Sequence, residues 1–136
     1  LKKALADNGL SLKDENIYYG DWKSDSGYNS AKELMQKKNG ITAIFCFNDI
    51  MAAGVYDYLN DSEEFSPEDI SIVGFDNRTV SYFLKPALTT MEIPLYDIGR
   101  KSGELVLQQI NSKEPSKKQE CFISCELIER KSVKKI

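Results

Sequence analysis

The sequence predicts an α/β fold in which a parallel sheet is flanked by helices. Strand-like apolar runs alternate with segments of helical spacing along the chain. Residues 41–47, ITAIFCF, form a continuous apolar run that is typical of a strand covered on both faces. Strands separated by helices pair in parallel through right-handed crossovers. The 136 residues, of which 41% are hydrophobic, are enough for one core.

The first part of the chain predicts three helical segments and two strands in alternation. In order, they are the end of a helix closed by Gly9, a short strand at 15–21, a helix at 24–40, the strand at 41–47 and a helix at 48–60. Apolar residues recur at helical spacing in the second helix, and Gly40 ends it. Asn48 stands directly before the third helix, where an amide caps free backbone N–H groups.

The second part of the chain continues the alternation. In order, it predicts a buried strand from Ile70 to Phe75, a strand at 86–93, a helix at 94–113 introduced by Pro94, and a strand at 119–130. The last helix carries one face formed by Ile98, Ser102, Leu105, Val106, Gln109 and Ile110. The basic tail at 131–136 is expected to fray. The sequence contains no internal repeat and no GxGxxG motif.

Charge and cysteine content argue against several classes of protein. The net charge of -3 disfavours direct binding of nucleic acid by this chain. Three cysteines without CxxC spacing and the absence of histidine argue against a zinc site and indicate reduced thiols, as in the cytoplasm. Cys46 fits a small buried residue in a strand. No apolar run long enough for a membrane span and no signal-peptide core is present.

Polar and aromatic side chains follow three predicted strands where each one ends. They are Asp21 and Trp22, then Asn48 and Asp49, then Asp76 and Asn77. Open parallel sheets bind ligands beyond the carboxyl ends of their strands. A sugar offers a C–H face to an indole and vicinal hydroxyls to a carboxylate or amide. The sequence therefore predicts a binding site for a small polyhydroxyl ligand at Trp22, Asn48 and Asp76.

Each of these three residues also has a purely structural interpretation. Asn48 fits a helix cap, although capping does not prevent contact with a ligand. Asp76 fits a turn residue, and Trp22, the only tryptophan, fits a packing position. From these residues alone, both interpretations stay open.

Catalysis finds little support in the sequence. The chain contains no histidine, GxSxG motif, Walker loop or CxxC pair. Spacing alone does not pair Asp49 with Asp76 for acid–base chemistry. We therefore expect neither an enzyme nor a bound cofactor or metal.

A set of motifs occurs in a characteristic order along the chain. They are GDWKSDSG at 20–27, TAIFCFNDIMAAGVYDYL at 42–59, SPEDISIVGFDN at 66–77 and ALTTMEIPLYDIGRKSGELVLQQI at 87–110. In order and spacing, this set resembles the C-terminal half of the LacI/GalR family of bacterial transcription regulators. The resemblance covers essentially the whole chain. It implies the C-terminal lobe of a type I periplasmic-binding-protein-like fold, in which two α/β lobes close over a sugar or nucleobase effector.

The resemblance also implies how the intact protein is organised. Residues 1–136 would be a partial effector-binding domain, and about 94–112 would belong to an N-terminal lobe that this chain lacks. DNA would be bound through a helix-turn-helix domain that is also absent here. The start of the chain inside an uncapped helix likewise suggests the C-terminal piece of a longer protein. The helix around Leu105 would then expose its apolar face, unless it packs on the sheet of this chain.

The resemblance further implies roles for individual residues. Trp22 would stack on the effector ring, Asn48 would contact the effector through its amide, and Asp76 would accept hydrogen bonds from hydroxyls or ring donors. Asp49 would instead stabilise the helix N-terminus through the helix dipole.

Two positions depart from the family pattern. Asn77 stands where the family has a second aspartate, which affects the local hydrogen bonds of the loop. Ile93 stands where some members have a polar contact to the ligand, so that contact is not expected here.

A homodimer is expected through the helix after Asn48 and the segment after Asp76. The residues that these segments offer to a partner are Ile50, Met51, Val55, Tyr82 and Phe83. The aromatic pair in TVSYFLKP, residues 79–86, suits a partner-facing patch and equally suits a cap on the end of the core.

The sequence thus predicts the effector-binding part, for a sugar, of a dimeric cytoplasmic LacI/GalR-type regulator. Two other functions stay open: a solute-binding protein of a sugar transport system, and an α/β enzyme acting on sugars. A secretion signal ahead of this segment would favour transport, and a helix-turn-helix would favour regulation.

Overall fold

Four strands form one sheet in the computed structural model, which describes residues 1–38, 40–112 and 119–134. The strands are β1 (Ala43–Phe45), β2 (Ser71–Asp76), β3 (Thr89–Glu92) and β4 (Glu126–Ile128). They lie in the order β1-β2-β3-β4, with β1, β2 and β3 parallel and β4 antiparallel to β3. The predicted α/β class is confirmed, with one antiparallel strand at the edge of a mostly parallel sheet.

Helices connect the strands. They are α1 (Lys2–Asp7), α2 (Ser24–Gln36), α3 (Asp49–Asp61), the short α4 (Val80–Phe83) and α5 (Leu95–Asn111), together with a 3-10 turn at Asp14–Asn16. Helix α1 ends as the sequence predicts: Gly9 is left-handed, with φ of 73°, and the Leu10 N–H donates to the Leu5 carbonyl. The predicted end of α5 at Lys113 lies outside the described residues, as does the end of the tail at 135–136.

Helices α2 and α3 pack so closely that two glycines lie at their crossing. A Cβ atom on Gly27 would overlap the Met51 carbonyl, and one on Gly54 would overlap the Ser24 carbonyl. The core lies under α3, where Tyr56, Leu59, Ile72 and Leu88 are fully buried. The phenol of Tyr56 donates to the Pro86 carbonyl at 2.7 Å, and burial raises the pKa of Tyr56 to about 12.

The predicted strand at 15–21 does not form. The Asn16 N–H donates to the Lys13 carbonyl in the 3-10 turn, and the Lys23 N–H donates to Asp21 Oδ1 at 3.2 Å. The residues between these two turns do not pair with β1 or with any other described strand. As a consequence β1 lies at the edge of the sheet among the described strands, and Phe45 is exposed rather than covered on both faces.

The predicted strand at 119–130 pairs only over Glu126–Ile128. The register with β3 places Glu126 opposite Glu92, and Pro94 begins the turn into α5 two residues later. Residues before Glu126 therefore have no strand beside them.

Residues after β4 bind back onto the sheet instead. The Ser132 hydroxyl donates to the Ile72 carbonyl and accepts from the Thr89 N–H at 2.8 Å. The Ile72 N–H donates to the Ser132 carbonyl at 2.8 Å. The predicted frayed tail is thus fixed to β2 and β3 at Ser132, which is buried.

Helix α5 contains no buried residue. Its exposed apolar side chains are Leu95, Tyr96, Ile98, Val106, Leu107 and Ile110. The helix therefore does not pack on the sheet of this chain. Within the described parts of the chain, no helix is long and apolar enough to span a membrane.

Candidate functional site

Asn48 caps α3 and holds the loop before α2. Its Oδ1 accepts from the Met51 N–H at 2.7 Å, which confirms the predicted cap. Its Nδ2 donates to the Trp22 carbonyl at 3.1 Å. Asn48 is only 6% exposed, so most of its hydrogen-bonding capacity is used inside the protein. An amide nitrogen has a second N–H, which is the only further donor that Asn48 could offer to a ligand.

Trp22 lies in a tight turn between Asp21 and the start of α2. It adopts a left-handed backbone with φ of 71°, which is uncommon for a bulky residue. The turn is supported by Asp21, which accepts from the Lys23 N–H, and by Ser26 Oγ, which accepts from the Asp21 N–H at 3.3 Å. The residue is 65% exposed, so the indole is a surface group and not part of the core.

Asp76 is the last residue of β2, and the loop that follows it has an unusual backbone. Asp76 and Asn77 have φ values of 105° and 54°. The Asp76 carboxylate accepts from Arg78 Nε at 3.2 Å and its side chain is 21% exposed. At this exposure the carboxylate is partly accessible to a ligand from the rim.

Asp49 is fully buried and joins α3 to the loop after β2. Its Oδ2 accepts from the Arg78 N–H at 2.7 Å, and its Oδ1 accepts from the Thr90 hydroxyl at 2.6 Å. Burial raises the pKa of Asp49, and the nearby Asp76 charge adds to the effect, while the hydrogen bonds oppose it. Asp49 lies in the first turn of α3 as expected, but its carboxylate binds the loop as well as facing the helix dipole.

Sequence reasoning missed this bridging role. One signal was available: a Cβ on Gly74 would overlap the Asp49 carboxylate, so a glycine in the middle of a buried strand marks a close approach.

The three predicted site residues share one edge of the sheet. Asn48 follows β1 and Asp76 ends β2, and these strands are parallel, so both residues lie at the carboxyl end. Trp22 accepts a hydrogen bond from Asn48. Arg78 donates both to Asp76 and to Asp49, which follows Asn48 in the chain. The structure therefore brings these positions together.

A recess of about 620 Å³ opens beside Asp76. It is lined by Ile50, Asp76, Asn77, Arg78, Thr79, Val80, Ile93 and Leu95. The recess combines a carboxylate and a guanidinium with apolar walls, and it is large enough for a small ligand. Ile93 contributes an apolar wall at the position where the resemblance suggested that a polar contact is missing.

A second cavity, of about 420 Å³, lies between α1, α2 and the exposed edge of β1. Its walls are mainly apolar and include Leu5, Leu34, Phe45 and Val73. The described residues that line it include no carboxylate and one side-chain amide, that of Asn16, so it offers few groups to orient a polyhydroxyl ligand.

The residues predicted for a dimer surface separate into two groups. Val55 is 3% exposed and packs in the core, so it is not available to a partner. Met51 is half-buried against the core, and Ile50 lines the recess beside Asp76. Tyr82 and Phe83, at 56% and 74% exposure, form the accessible part of the predicted set.

The cysteines do not suggest a reactive or metal site. Cys46 is buried as predicted, and burial raises the pKa of its thiol to about 12, so it is not a nucleophile at neutral pH. Cys121 and Cys125 are free and exposed. Among the described residues, no cluster of His, Cys, Asp or Glu side chains is suited to hold a metal ion.

Residues 1–133 match the periplasmic binding protein-like domain family. The chain belongs to that family. It is 37% identical over 131 residues to the HTH-type transcriptional regulator MalR of Clostridium butyricum. It is 36% identical over 132 residues to the HTH-type transcriptional repressor PurR of Erwinia tasmaniensis. Each alignment covers 96% of this chain and 38% of the relative, so the chain spans less than half of the length of these relatives.

Solved structures agree with this assignment. The transcriptional regulator CelR in complex with cellobiose superimposes with a TM-score of 0.86 and 27% identity, over 96% of this chain and 40% of CelR. The resemblance to LacI-type regulators is therefore confirmed, and so is the fold of one lobe. These relatives are regulators and not enzymes, in agreement with the sequence.

Proposed function

We propose that this chain is the effector-binding part of a LacI-type transcription regulator and that its effector is a small polyhydroxyl molecule such as a sugar. The observation that carries the proposal is the placement of Trp22, Asn48 and Asp76 at one sheet edge. The exposed Trp22 is bound through its backbone carbonyl to the buried Asn48 amide, and the partly exposed Asp76 carboxylate ends the neighbouring strand β2.

Each residue would make a distinct contact. The indole of Trp22 offers a face for the C–H side of a sugar ring. The Asp76 carboxylate accepts hydrogen bonds from hydroxyls, each worth about 1.5–3 kcal/mol when water is excluded. Asn48 mainly fixes the Trp22 turn and adds at most its remaining N–H.

A nucleobase is a second candidate effector, because the resemblance to the LacI/GalR family implies a sugar or a nucleobase and a flat ring also stacks on an indole. A ring N–H would then replace the sugar hydroxyl at Asp76. The two effector classes differ in the contact that they make with the apolar wall at Ile93 and Leu95.

The remainder of the regulator would complete the site and the response. Residues about 94–112 would belong to a second lobe, since the described part of the chain buries no residue of α5. Tyr82 and Phe83 would contribute to a homodimer, and DNA would be bound by a further domain, in the cytoplasm. Effector binding between the lobes would favour one closure angle and so shift the population of DNA-binding states.

Calorimetric titration of the full-length protein tests the site. The panel contains cellobiose, lactose, common hexoses and pentoses, hypoxanthine and guanine. We expect one sugar to bind, and Asp76→Asn and Trp22→Ala each to weaken its affinity at least about tenfold, which corresponds to about 1.4 kcal/mol.

Asp69→Asn is the matched control for Asp76→Asn. Asp69 is an exposed loop carboxylate that accepts from Ser66 before β2, at the other end of the strand. Its replacement should leave the affinity within about twofold of the wild type. Unchanged affinity in both Trp22→Ala and Asp76→Asn would contradict the assignment of the site. If only a purine base binds, the effector is a nucleobase and the proposed sugar is wrong.

A further inference from the structure

Arg130 lies just beyond β4 and turns its guanidinium toward the loop after β2. Nη2 donates to Asn77 Oδ1 at 2.6 Å. Nη1 donates to the Leu88 carbonyl at 2.7 Å and to Ser81 Oγ at 3.1 Å. The flat face of the guanidinium lies 4.0 Å from the centroid of the Tyr82 ring. One side chain thus contacts the neighbour of Asp76 and an exposed aromatic residue of α4.

The loop that Arg130 contacts needs external support. Asp76 and Asn77 are consecutive residues with positive φ. Such conformations are strained in residues other than glycine and persist only where the surroundings hold them. The Asp49 carboxylate holds the Arg78 N–H, and the Asn77 N–H approaches Thr90 Oγ1 at 3.4 Å.

Arg130 fixes the side chain of Asn77, which the backbone contacts of the loop do not hold. The Asn77 oxygen accepts from the Arg130 cation, while its Nδ2 donates to Glu92 Oε1 at 3.1 Å. A cation on the oxygen and a carboxylate on the nitrogen allow only one orientation of the amide. An aspartate at position 77 would keep the contact with Arg130 but would meet Glu92 with a like charge.

We propose that Arg130 is a positioning residue for the effector-binding carboxylate of Asp76, and that it couples this carboxylate to Tyr82 on the proposed dimer surface. The inference rests on the proposed function of the site. A shift of Asn77 on effector binding would move the guanidinium and change its stacking on Tyr82. By thermodynamic linkage, dimerisation through Tyr82 would then alter effector affinity by the same factor.

The planar fork of Arg130 is needed for this arrangement. It donates from two nitrogens in different directions and stacks on an aromatic face at the same time. A lysine keeps the charge but cannot hold Asn77 and Leu88 together while stacking on Tyr82. Arg130→Lys therefore removes the geometry and retains the charge.

A double-mutant cycle in the full-length protein tests the proposal. The probe is the sugar of the titration panel that binds the wild type most tightly, and the variants are Arg130→Lys, Asn77→Ala and their combination. We expect each single variant to weaken sugar affinity about fivefold. The affinity of the double variant should be no lower than that of the single variant that binds less tightly, as for residues that act through each other. Lys131→Arg, at the exposed neighbouring cation, should leave affinity within about twofold.

A second measurement separates positioning from general stabilisation. The dimer dissociation constant is measured by sedimentation with and without the same sugar. In the wild type it should change on sugar binding, and in Arg130→Lys this change should shrink, even where urea unfolding shows that both proteins are fully folded.

The outcomes distinguish this inference from the proposed function. If Asp76→Asn weakens sugar binding while Arg130→Lys does not, or if the losses in the cycle are additive, the role of Arg130 is overturned and the site stands. If the wild type binds nothing in the panel, the proposed function itself fails. Should Arg130→Lys not fold, Asn77→Ala decides alone, with unchanged affinity overturning the inference.

Discussion

At the scale of single residues, the two hydrogen bonds of the Asn48 amide join the start of α3 to the turn at Trp22. The oxygen accepts from Met51 and the nitrogen donates to the Trp22 carbonyl. An aspartate can cap a helix but has no donor, and a serine offers a single oxygen on a shorter side chain, so neither reproduces both bonds of the amide. The choice of asparagine therefore follows from the site as well as from the helix.

Substitution of Asn48 should separate these two bonds. Asn48→Ala should lower the free energy of unfolding by about 1 kcal/mol for the cap, with about 0.5–1.5 kcal/mol more for the bond to Trp22. Asn48→Ser should retain the stabilisation from the helix cap and lose that from the bond to Trp22. Urea unfolding measures both, and Asn29→Ala in the exposed part of α2 is the control, expected within about 0.5 kcal/mol of the wild type. Equal stability of the Ala and Ser variants would contradict the cap.

Two aspartates should give opposite dependences of stability on pH. Burial raises the pKa of Asp49 above its ordinary value of 3.8, so its contribution to stability is complete below pH 3.8 and is lost as the pH rises through the native pKa. Hydrogen bonds from Ser66 lower the pKa of Asp69, so its contribution is present above pH 3.8 and is lost as the pH falls through the native pKa.

Urea unfolding between pH 3 and pH 7 tests this contrast, with Asp49→Asn and Asp69→Asn compared with the wild type. As the pH falls, the wild type should gain stability relative to Asp49→Asn and lose stability relative to Asp69→Asn. Slopes of the same sign for both variants would contradict the assigned pKa shifts.

At the scale of elements, the crossing of α2 and α3 decides where glycine is required. Gly54→Ala should destabilise the protein by several kcal/mol, because its Cβ would overlap the Ser24 carbonyl in the neighbouring helix. Gly103→Ala in α5 is the matched control, since no atom lies within 4 Å of the position that its Cβ would occupy. Ala has the higher helix propensity, so this variant should gain about 0.8–1 kcal/mol. Thermal unfolding measures both changes, and equal effects would contradict the close crossing.

Elements with strong periodicity or clear caps were predictable from sequence. Helix α3 with its Asn48 cap and strand β2 have nearly the expected bounds, because local patterning is sufficient to define them. The strand at 15–21 and the long strand at 119–130 were wrong, because their existence depends on pairing partners. Turns at the two ends of 15–21 replace the first strand. The second strand pairs with β3 only up to Glu126, which lies opposite Glu92.

The candidate site also has a part that the sequence predicts and a part that it does not. Trp22, Asn48 and Asp76 follow strand ends, so a parallel sheet brings them to one edge and the sequence is enough to group them. Arg130 is 53 positions from its partner Asn77, and their contact depends on the antiparallel register of β4. No local pattern in the sequence marks such a contact.

At the scale of the whole molecule, two of the exposed apolar surfaces of the described chain lie on α5 and on α4. Among the described residues, none buries a side chain of α5, and the exposed pair on α4 is Tyr82 and Phe83. Exposed aromatic residues of this kind often act as anchors of an interface. The surface on α5 fits the proposed second lobe, and the surface on α4 fits the proposed homodimer.

Replacement of Phe83 tests the dimer in the full-length protein. Phe83→Asp should raise the dimer dissociation constant at least about tenfold, because a charge would be buried in the contact. Phe122→Asp is the control, since Phe122 is also an exposed phenylalanine but lies near β4. Sedimentation velocity over a range of protein concentrations measures both. Equal effects of the two variants would contradict an interface at α4.

The anchoring of Ser132 has a consequence for how the protein is made. Ser132 satisfies backbone groups of Ile72, which is 60 positions earlier in the chain. A ribosome releases residue 72 long before residue 132, so those groups have only solvent or transient partners during most of synthesis. Contacts this distant in sequence also slow folding. A nascent chain stalled before Ser132 should therefore be a better substrate for proteases and chaperones than the finished chain.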